Sequence, residues 1–333
     1  MNIKEIAALC DVSTTTISRV INNDPRVTQK TRSHVKSIMK KYNYTPNAFA
    51  RGLILNSMRM IGILCTNIDD PYYAKATSLI EAEIKKHGYN SILGCTGNKL
   101  EDKIKHLDLL LENRVDAIIL IGSAFRENTE NDHLRTAAKH SPVIIINGLI
   151  EIPGVYCVLC DEKESIIQNV RLLTEQNKRN IMYVYDVLTY SGLQKLSGYR
   201  SGLELCGIKK EITVSVKIGA DINEIRHTVA NALKLFPETD AIMASEDFLA
   251  IGAQKAMADL GKNLPLIGFD NSRYAQCATP SLTSVDNMLD SLCPIAVKLL
   301  IDLLNGKKVP RKIIMPTELI ERETFVTKKS SIV

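Results

Sequence analysis

From Met60 onward the chain alternates short apolar runs with helix-length amphipathic stretches, and this alternation limits its fold more than any other feature. Met60–Cys65, Asn90–Cys95, Ala117–Ile121 and Val143–Ile146 form one series of strand-like runs. Ile181–Tyr185, Ile212–Ile218, Ala241–Ala244 and Leu264–Phe269 form a second. Between them lie Tyr73–Lys86, Leu100–Asn113, Lys163–Gln176, Leu193–Leu205, Glu224–Leu235 and Phe248–Leu260, each long enough for a helix. Such alternation implies parallel sheets with helices on both faces. Two series predict two similar subdomains, with a ligand in the crevice at the carboxyl ends of their strands. No GxGxxG follows the first strand and no Walker A motif is present, so dinucleotide and nucleoside-triphosphate binding have no motif to carry them.

The first 60 residues follow a different rule. Ile3, Ile6, Ala7 and Cys10 recur at helical spacing, as do Ile17, Val20 and Ile21, and Asp11-Val12-Ser13 separates the two sets. Ser13 is a good N-cap for the second helix, because its hydroxyl can accept from free N–H groups of the first turn. Two helices joined by so short a turn read as helix-turn-helix, in which the second helix enters the major groove of DNA. Its polar face offers Thr14, Thr15, Ser18, Arg19 and Asn22 to bases or phosphates. A third helix follows, with Thr28 as N-cap and Val35, Ile38, Met39 and Tyr42 as its apolar face.

Charge separates in the same way. Through Met60 there are ten basic residues against Glu5, Asp11 and Asp24, a net +7, whereas the whole chain is +5. The positive field therefore sits at one end, as phosphate neutralisation requires. No apolar run approaches the ~20 residues that span a bilayer, and no export signal is evident, so a cytoplasmic location is expected. Eight cysteines then read as thiols. The one CxxC, Cys157 to Cys160, lies in an apolar strand-like run without nearby histidines and is expected to pack rather than bind metal. The absence of GxSxG, HExxH and clustered ligands leaves no catalytic residues, metal site or cofactor to propose.

Between head and core, Pro46 ends the third helix and Asn47 can cap a segment running to about Leu55. The segment is too short to be stable alone and Gly52 weakens it further, which suits a hinge that folds on a partner.

Taken together, Val12-Ser-Thr-Thr-Thr-Ile-Ser-Arg-Val-Ile-Asn22, Tyr44-Thr-Pro-Asn-Ala-Phe-Ala-Arg-Gly-Leu53, Ile61-Gly-Ile-Leu64, Asp69-Asp-Pro-Tyr-Tyr-Ala74, Gly198-Tyr199, Ile267-Gly-Phe-Asp270 and Pro280-Ser-Leu-Thr-Ser-Val285 resemble the LacI/GalR (lactose-repressor) family of bacterial transcription regulators, essentially end to end. The resemblance implies an α/β protein: a three-helix head over 1–45, a hinge over 46–58, and a two-lobed periplasmic-binding-protein-like core over 59–333. Its N-lobe would take about 59–160 and 288–316, its C-lobe about 161–287 and 317–333. It further implies a homodimer on a pseudo-palindromic operator, controlled by a small-molecule effector related to carbohydrates. Thr14, Thr15 and Arg19 match base-reading positions. Ser13, Thr16, Ser18, Asn22 and Thr28 match phosphate contacts. Asn47, Ala50 and Arg51 match the hinge helix, and Leu53 the leucine wedged into the central minor-groove step. Tyr72, Tyr73, Asn147, Lys195, Glu246 and Asp270 match the effector pocket. Asp161-Glu162 stands where Asp-Asn is frequent, and no aromatic ring stands near Gly219-Ala220 to stack on a sugar.

Three other readings compete. A transporter's solute-binding protein would lack the basic head, and a sugar-processing enzyme would need residues that are not found. A catabolite-control regulator using a phosphocarrier protein as co-repressor would carry a basic patch after Pro294, where Lys298 stands among Ile301, Asp302 and Leu303.

Overall fold

A computed structural model describes residues 1–21, 24–44 and 57–327. The head is three helices, α1 (Ile3–Leu9), α2 (Thr14–Ile21) and α3 (Gln29–Lys41). Asn2 and Glu5 form a capping box at the start of α1, so two end groups satisfy each other. Ser13 Oγ accepts from the Thr16 N–H at 3.1 Å, and Thr28 Oγ1 from the Thr31 N–H at 3.3 Å. Ile6, Ile17, Val20 and Val35 meet in a small buried core that turns the polar faces of the helices outward.

The core holds two six-stranded sheets. In chain order its elements are β1 (Met60–Cys65), α4 (Pro71–Lys86), β2 (Asn90–Cys95), α5 (Leu100–Glu112), β3 (Ala117–Ile121), α6 (Asp132–His140), β4 (Val143–Ile146) and β5 (Val155–Cys160). There follow α7 (Glu162–Glu175), β6 (Ile181–Tyr185), α8 (Tyr190–Leu205), β7 (Ile212–Ser215), α9 (Ile222–Leu235), β8 (Ala241–Ala244), α10 (Asp247–Asp259), β9 (Leu266–Phe269), α11 (Arg273–Cys277), β10 (Thr283–Asp286), α12 (Leu289–Leu304), β11 (Lys312–Met315) and β12 (Glu318–Ile320). The first sheet runs β11-β5-β4-β3-β1-β2, all parallel; the second runs β12-β10-β9-β8-β6-β7, with only β12 antiparallel. β3, β4, β8 and β9 are buried at every residue, which is why they read as continuous apolar runs rather than alternating ones.

The chain passes from one sheet to the other three times: after β5, after β10 and after β11. The second and third passes give each lobe a strand from the far end of the sequence. The first lobe also takes α12, whose Leu292, Cys293, Ala296 and Leu300 pack with Ile80 and Ile84 of α4.

One local expectation is corrected. β7 ends at Ser215, not Ile218; Gly219, at φ +73°, turns the chain toward α9. β12 stops at Ile320, because Thr283 Oγ1 then accepts from the Arg322 N–H and Thr324 Oγ1 from the Thr283 N–H, where ladder bonds would continue. α12 begins at Leu289, so Pro294 lies inside the helix. Cys157 and Cys160 are buried in β5, where the Ile150 N–H approaches Cys157 Sγ at 3.5 Å.

Candidate functional site

Two surfaces have built chemistry. On α2, Ile17 and Val20 face the core while Thr14, Thr15 and Arg19 are exposed. Thr15 and Arg19 stand one helical turn apart on the outer face, as do Thr14 and Ser18. Ser13 and Thr28 are exposed at the two helix N-termini, where free N–H groups and the helix dipole favour a phosphate. Thr16 is half-buried, its hydroxyl bonded to Ser13 at 3.0 Å. Asn22 and the four hinge positions Asn47, Ala50, Arg51 and Leu53 lie outside the described residues.

The second surface is a cleft of about 430 Å³ with walls from both sheets, continuing inward to a further pocket of about 110 Å³. All six residues expected there, Tyr72, Tyr73, Asn147, Lys195, Glu246 and Asp270, line the inner part together. Asp70 caps α4 by accepting from the Tyr72 N–H at 2.8 Å, which aims both tyrosines inward with their rings edge-on. Asn147 is at φ +52°, a conformation asparagine tolerates well. Its Oδ1 accepts from the Cys160 N–H and its Nδ2 donates to the Tyr72 hydroxyl, both at 3.0 Å. Much of its amide is therefore committed to holding Tyr72.

Lys195 is buried on α8. Its Nζ donates to the Ser245 carbonyl at 2.9 Å, lies 3.8 Å from Glu162 and sits 3.9 Å above the Phe269 ring centroid. Burial works against this ammonium, but Glu162, Asp270, Cys160 and Glu246 outweigh it and hold the pKa above the ordinary lysine value. Asp270 follows β9 at φ +99°, a strained conformation of the kind that clusters at functional sites. Its Oδ1 accepts from Asn287 Nδ2 at 3.0 Å, and burial raises its pKa. Glu246 makes no capping bond at the start of α10; burial and the neighbouring Asp186, Asp270 and Asp70 push its pKa well up.

Sequence reasoning missed Asp70, Asp186, Asp247, Asn287 and the ring pair Phe248–Tyr274, all of which line the cleft. It noted Glu162 only as a departure; that carboxyl is buried, accepts from Ser191 Oγ at 2.5 Å and has a raised pKa. A signal for several was available: Asp186 follows β6, Glu162 stands two residues after the end of β5, and Asn287 follows β10, all at carboxyl ends of strands. The expected lack of a stacking ring at Gly219-Ala220 is offset by Phe248 and Tyr274, which come from α10 and α11.

Residues 2–47 match the family model described as "Bacterial regulatory proteins, lacI family", and residues 58–327 match "Periplasmic binding proteins and sugar binding domain of LacI family". The chain belongs to the LacI family. An HTH-type transcriptional regulator of Lachnoclostridium phytofermentans is 39% identical over 97% of this chain and 99% of its own. The HTH-type transcriptional repressor PurR of Escherichia coli O1:K1 is 29% identical over 97% and 96%. Among solved structures, the Lac repressor dimer bound to operator and the anti-inducer ONPF has a TM-score of 0.85 at 20% identity, covering 97% of this chain and 98% of that one. A transcriptional regulator CelR–cellobiose complex has a TM-score of 0.72 at 22% identity, covering 98% and 100%. The protein is thus a DNA-binding transcriptional regulator whose core is of the LacI-family sugar-binding type. Among the described residues no helix is long and apolar enough to cross a membrane.

Proposed function

We propose that this LacI-family regulator is a cytoplasmic homodimer, acting as a repressor, that grips a pseudo-palindromic operator and loosens or tightens that grip when a small, carbohydrate-related effector enters the cleft. The observation that carries the reading is a cleft whose lining alternates between lobes: Asp70, Tyr72, Tyr73 and Asn147 from one, Lys195, Glu246 and Asp270 from the other. A ligand touching both sets binds one lobe arrangement better than another, and it can shift the equilibrium by that difference in affinity. The lobe boundaries given above mark the moving bodies, and 46–58 is the hinge between them and the head. The effector is released unchanged, since its role is to bias an equilibrium.

In the head, Thr14, Thr15 and Arg19 read bases, while Ser13, Thr16, Ser18, Asn22 and Thr28 hold phosphates. Arg19 carries the donor fork that pairs with guanine O6 and N7, a contact worth ~1–3 kcal/mol of discrimination. Asn47, Ala50 and Arg51 build the hinge helix and Leu53 the central wedge, on the strength of the resemblance alone.

Selection on randomised DNA should give a palindrome, and Arg19→Ala should relax one base pair per half-site. An unchanged motif refutes the assignment of Arg19. Light scattering should give a dimer at micromolar protein, and a stable tetramer would overturn that part of the reading.

A further inference from the structure

The cleft is short of positive charge, and this imbalance bears on the effector named above. Asp70 reaches it from the first lobe; Asp186, Glu246 and Asp270 reach it from the second. Against these four stand Lys195, already engaged with Ser245 and Glu162, and Lys217, which lies exposed at the outer rim as Asp69 does. Asp247 is spent on Ser272 and Ser284. Asn287 is 1% exposed and lines the inner pocket; its Nδ2 serves Asp270 and its Oδ1 has no partner. Asp186 Oδ1 is likewise buried and without a partner. Buried acceptors left in this state are costly, and a ligand that donates to them removes the cost.

Two of the carboxylates are neighbours by construction. Val184 of β6 pairs with Ala244 of β8, and Asp186 and Glu246 each follow two residues later, side by side at the carboxyl edge of the sheet. Burial raises the pKa of both, with Asp186 the largest charged neighbour acting on Glu246. Among the described residues no group of three or more His, Cys, Asp or Glu is close enough to hold a metal ion. The carboxylates are spread around a cavity of organic-ligand size, so a point cation does not meet their need. A neutral sugar could donate hydroxyls to them but would bring no positive charge to a cleft lined by four acids.

We propose, resting on the effector reading above, that the ligand is a polyhydroxylated amine of the aminosugar class whose ammonium sits between Asp186 and Glu246. Its hydroxyls then reach Asp270 and Asn287 Oδ1, and Asp70 approaches from the opposite lobe. Tyr72 and Tyr73 supply the faces against which the carbon frame lies.

The test uses full-length protein at pH 7.5 with D-glucosamine, D-galactosamine and D-mannosamine, each beside its neutral parent and its N-acetyl derivative, with glucuronate and spermidine as further probes. Calorimetric titration should find an aminosugar that binds at least tenfold more tightly than its parent and N-acetyl forms, and Glu246→Gln and Asp186→Asn should each erase that preference. Independently of any ligand, Glu246→Gln should raise the melting temperature of the free protein, because the carboxylate is there at a cost to stability. Binding of a neutral sugar or glucuronate as tightly as any aminosugar overturns the proposal. So does binding of spermidine alone, an empty panel, or a lowered melting temperature in Glu246→Gln. Operator affinity measured on the same samples separates the two readings: release or tightening by a neutral or anionic probe removes the amine and keeps the ligand-controlled regulator.

Discussion

Replacing Lys195 with Met tests whether the inner cleft is held by charge or by packing. The substitution keeps the volume and the apolar contact with Phe269, and removes one ammonium. It deletes the bond to the Ser245 carbonyl and leaves Glu162, 7% exposed, facing Asp270 with no cation beside it. A charge-assisted hydrogen bond contributes about 1.5–3 kcal/mol, and stripping one partner from a buried ion pair costs about 3–5 kcal/mol in all. For a folding unit of this size each kcal/mol moves the melting temperature by roughly 2–4 °C, so Lys195→Met should melt about 6–20 °C lower. The deficit should depend on pH. Burial already holds Glu162 above the usual carboxylate range, and once the ammonium is gone it can escape its penalty by taking a proton. The loss should therefore be smaller at pH 5.5 than at pH 8. Adding Glu162→Gln should recover part of it, because the uncompensated charge is then gone. Urea titrations of wild type, both single variants and the double variant at the two pH values give all the terms. A loss under about 1 kcal/mol, or one that is equal at both pH values, would mean that Lys195 is only a packed side chain.

Three other outcomes follow from the same structure. Burial, with Asp270 nearby, raises Asp247 from 3.8 to about 7 and raises Asp70 to about 6, so the folded state holds protons that the unfolded chain has released. Stability from these groups is full below about pH 4 and is lost as pH rises toward 7; the urea midpoint should fall between pH 5 and pH 8, and Asp247→Asn should flatten that slope. Ser13→Ala removes the N-cap of α2 and should cost about 1 kcal/mol in the head, lowering affinity for operator and random DNA alike, whereas a change confined to operator would make Ser13 a base-reading residue. Gly192→Ala would drive a Cβ into the Val187 carbonyl oxygen, and because Val187 and Thr189 line the cleft it should weaken ligand binding while leaving DNA affinity without ligand unchanged; normal ligand affinity would show that the loop yields freely.

The head was readable because its signals are local. A cap, a 3.6-residue period and a polar face are written within 20 residues, and Ser13, Thr28, Ile17 and Val20 occupy the places their neighbours dictate. The same holds for the interior strands, where burial on both faces leaves an unbroken apolar run. Legibility fell at the edges. β7 and the stretch after Ile320 look like longer strands by composition, but their ends are fixed by Gly219 and by the hydroxyls of Thr283 and Thr324, which act across 41 residues.

Sequence by itself determined the class of fold, the basic end, and the family motifs that single out Tyr72, Tyr73, Asn147, Lys195, Glu246 and Asp270. Which of these meet, and what else meets them, was decided only by the tertiary structure. Asp70, Asp186 and Asn287 are separated by more than a hundred residues at each step, and their places after strands put them at the crevice without saying which of them touch. Parallel strands bring their carboxyl ends to one edge, and three passes of the chain between sheets set those edges face to face. The charge balance of the cleft is a property of that arrangement, because a carboxylate's burial and its neighbours exist only after the chain has folded.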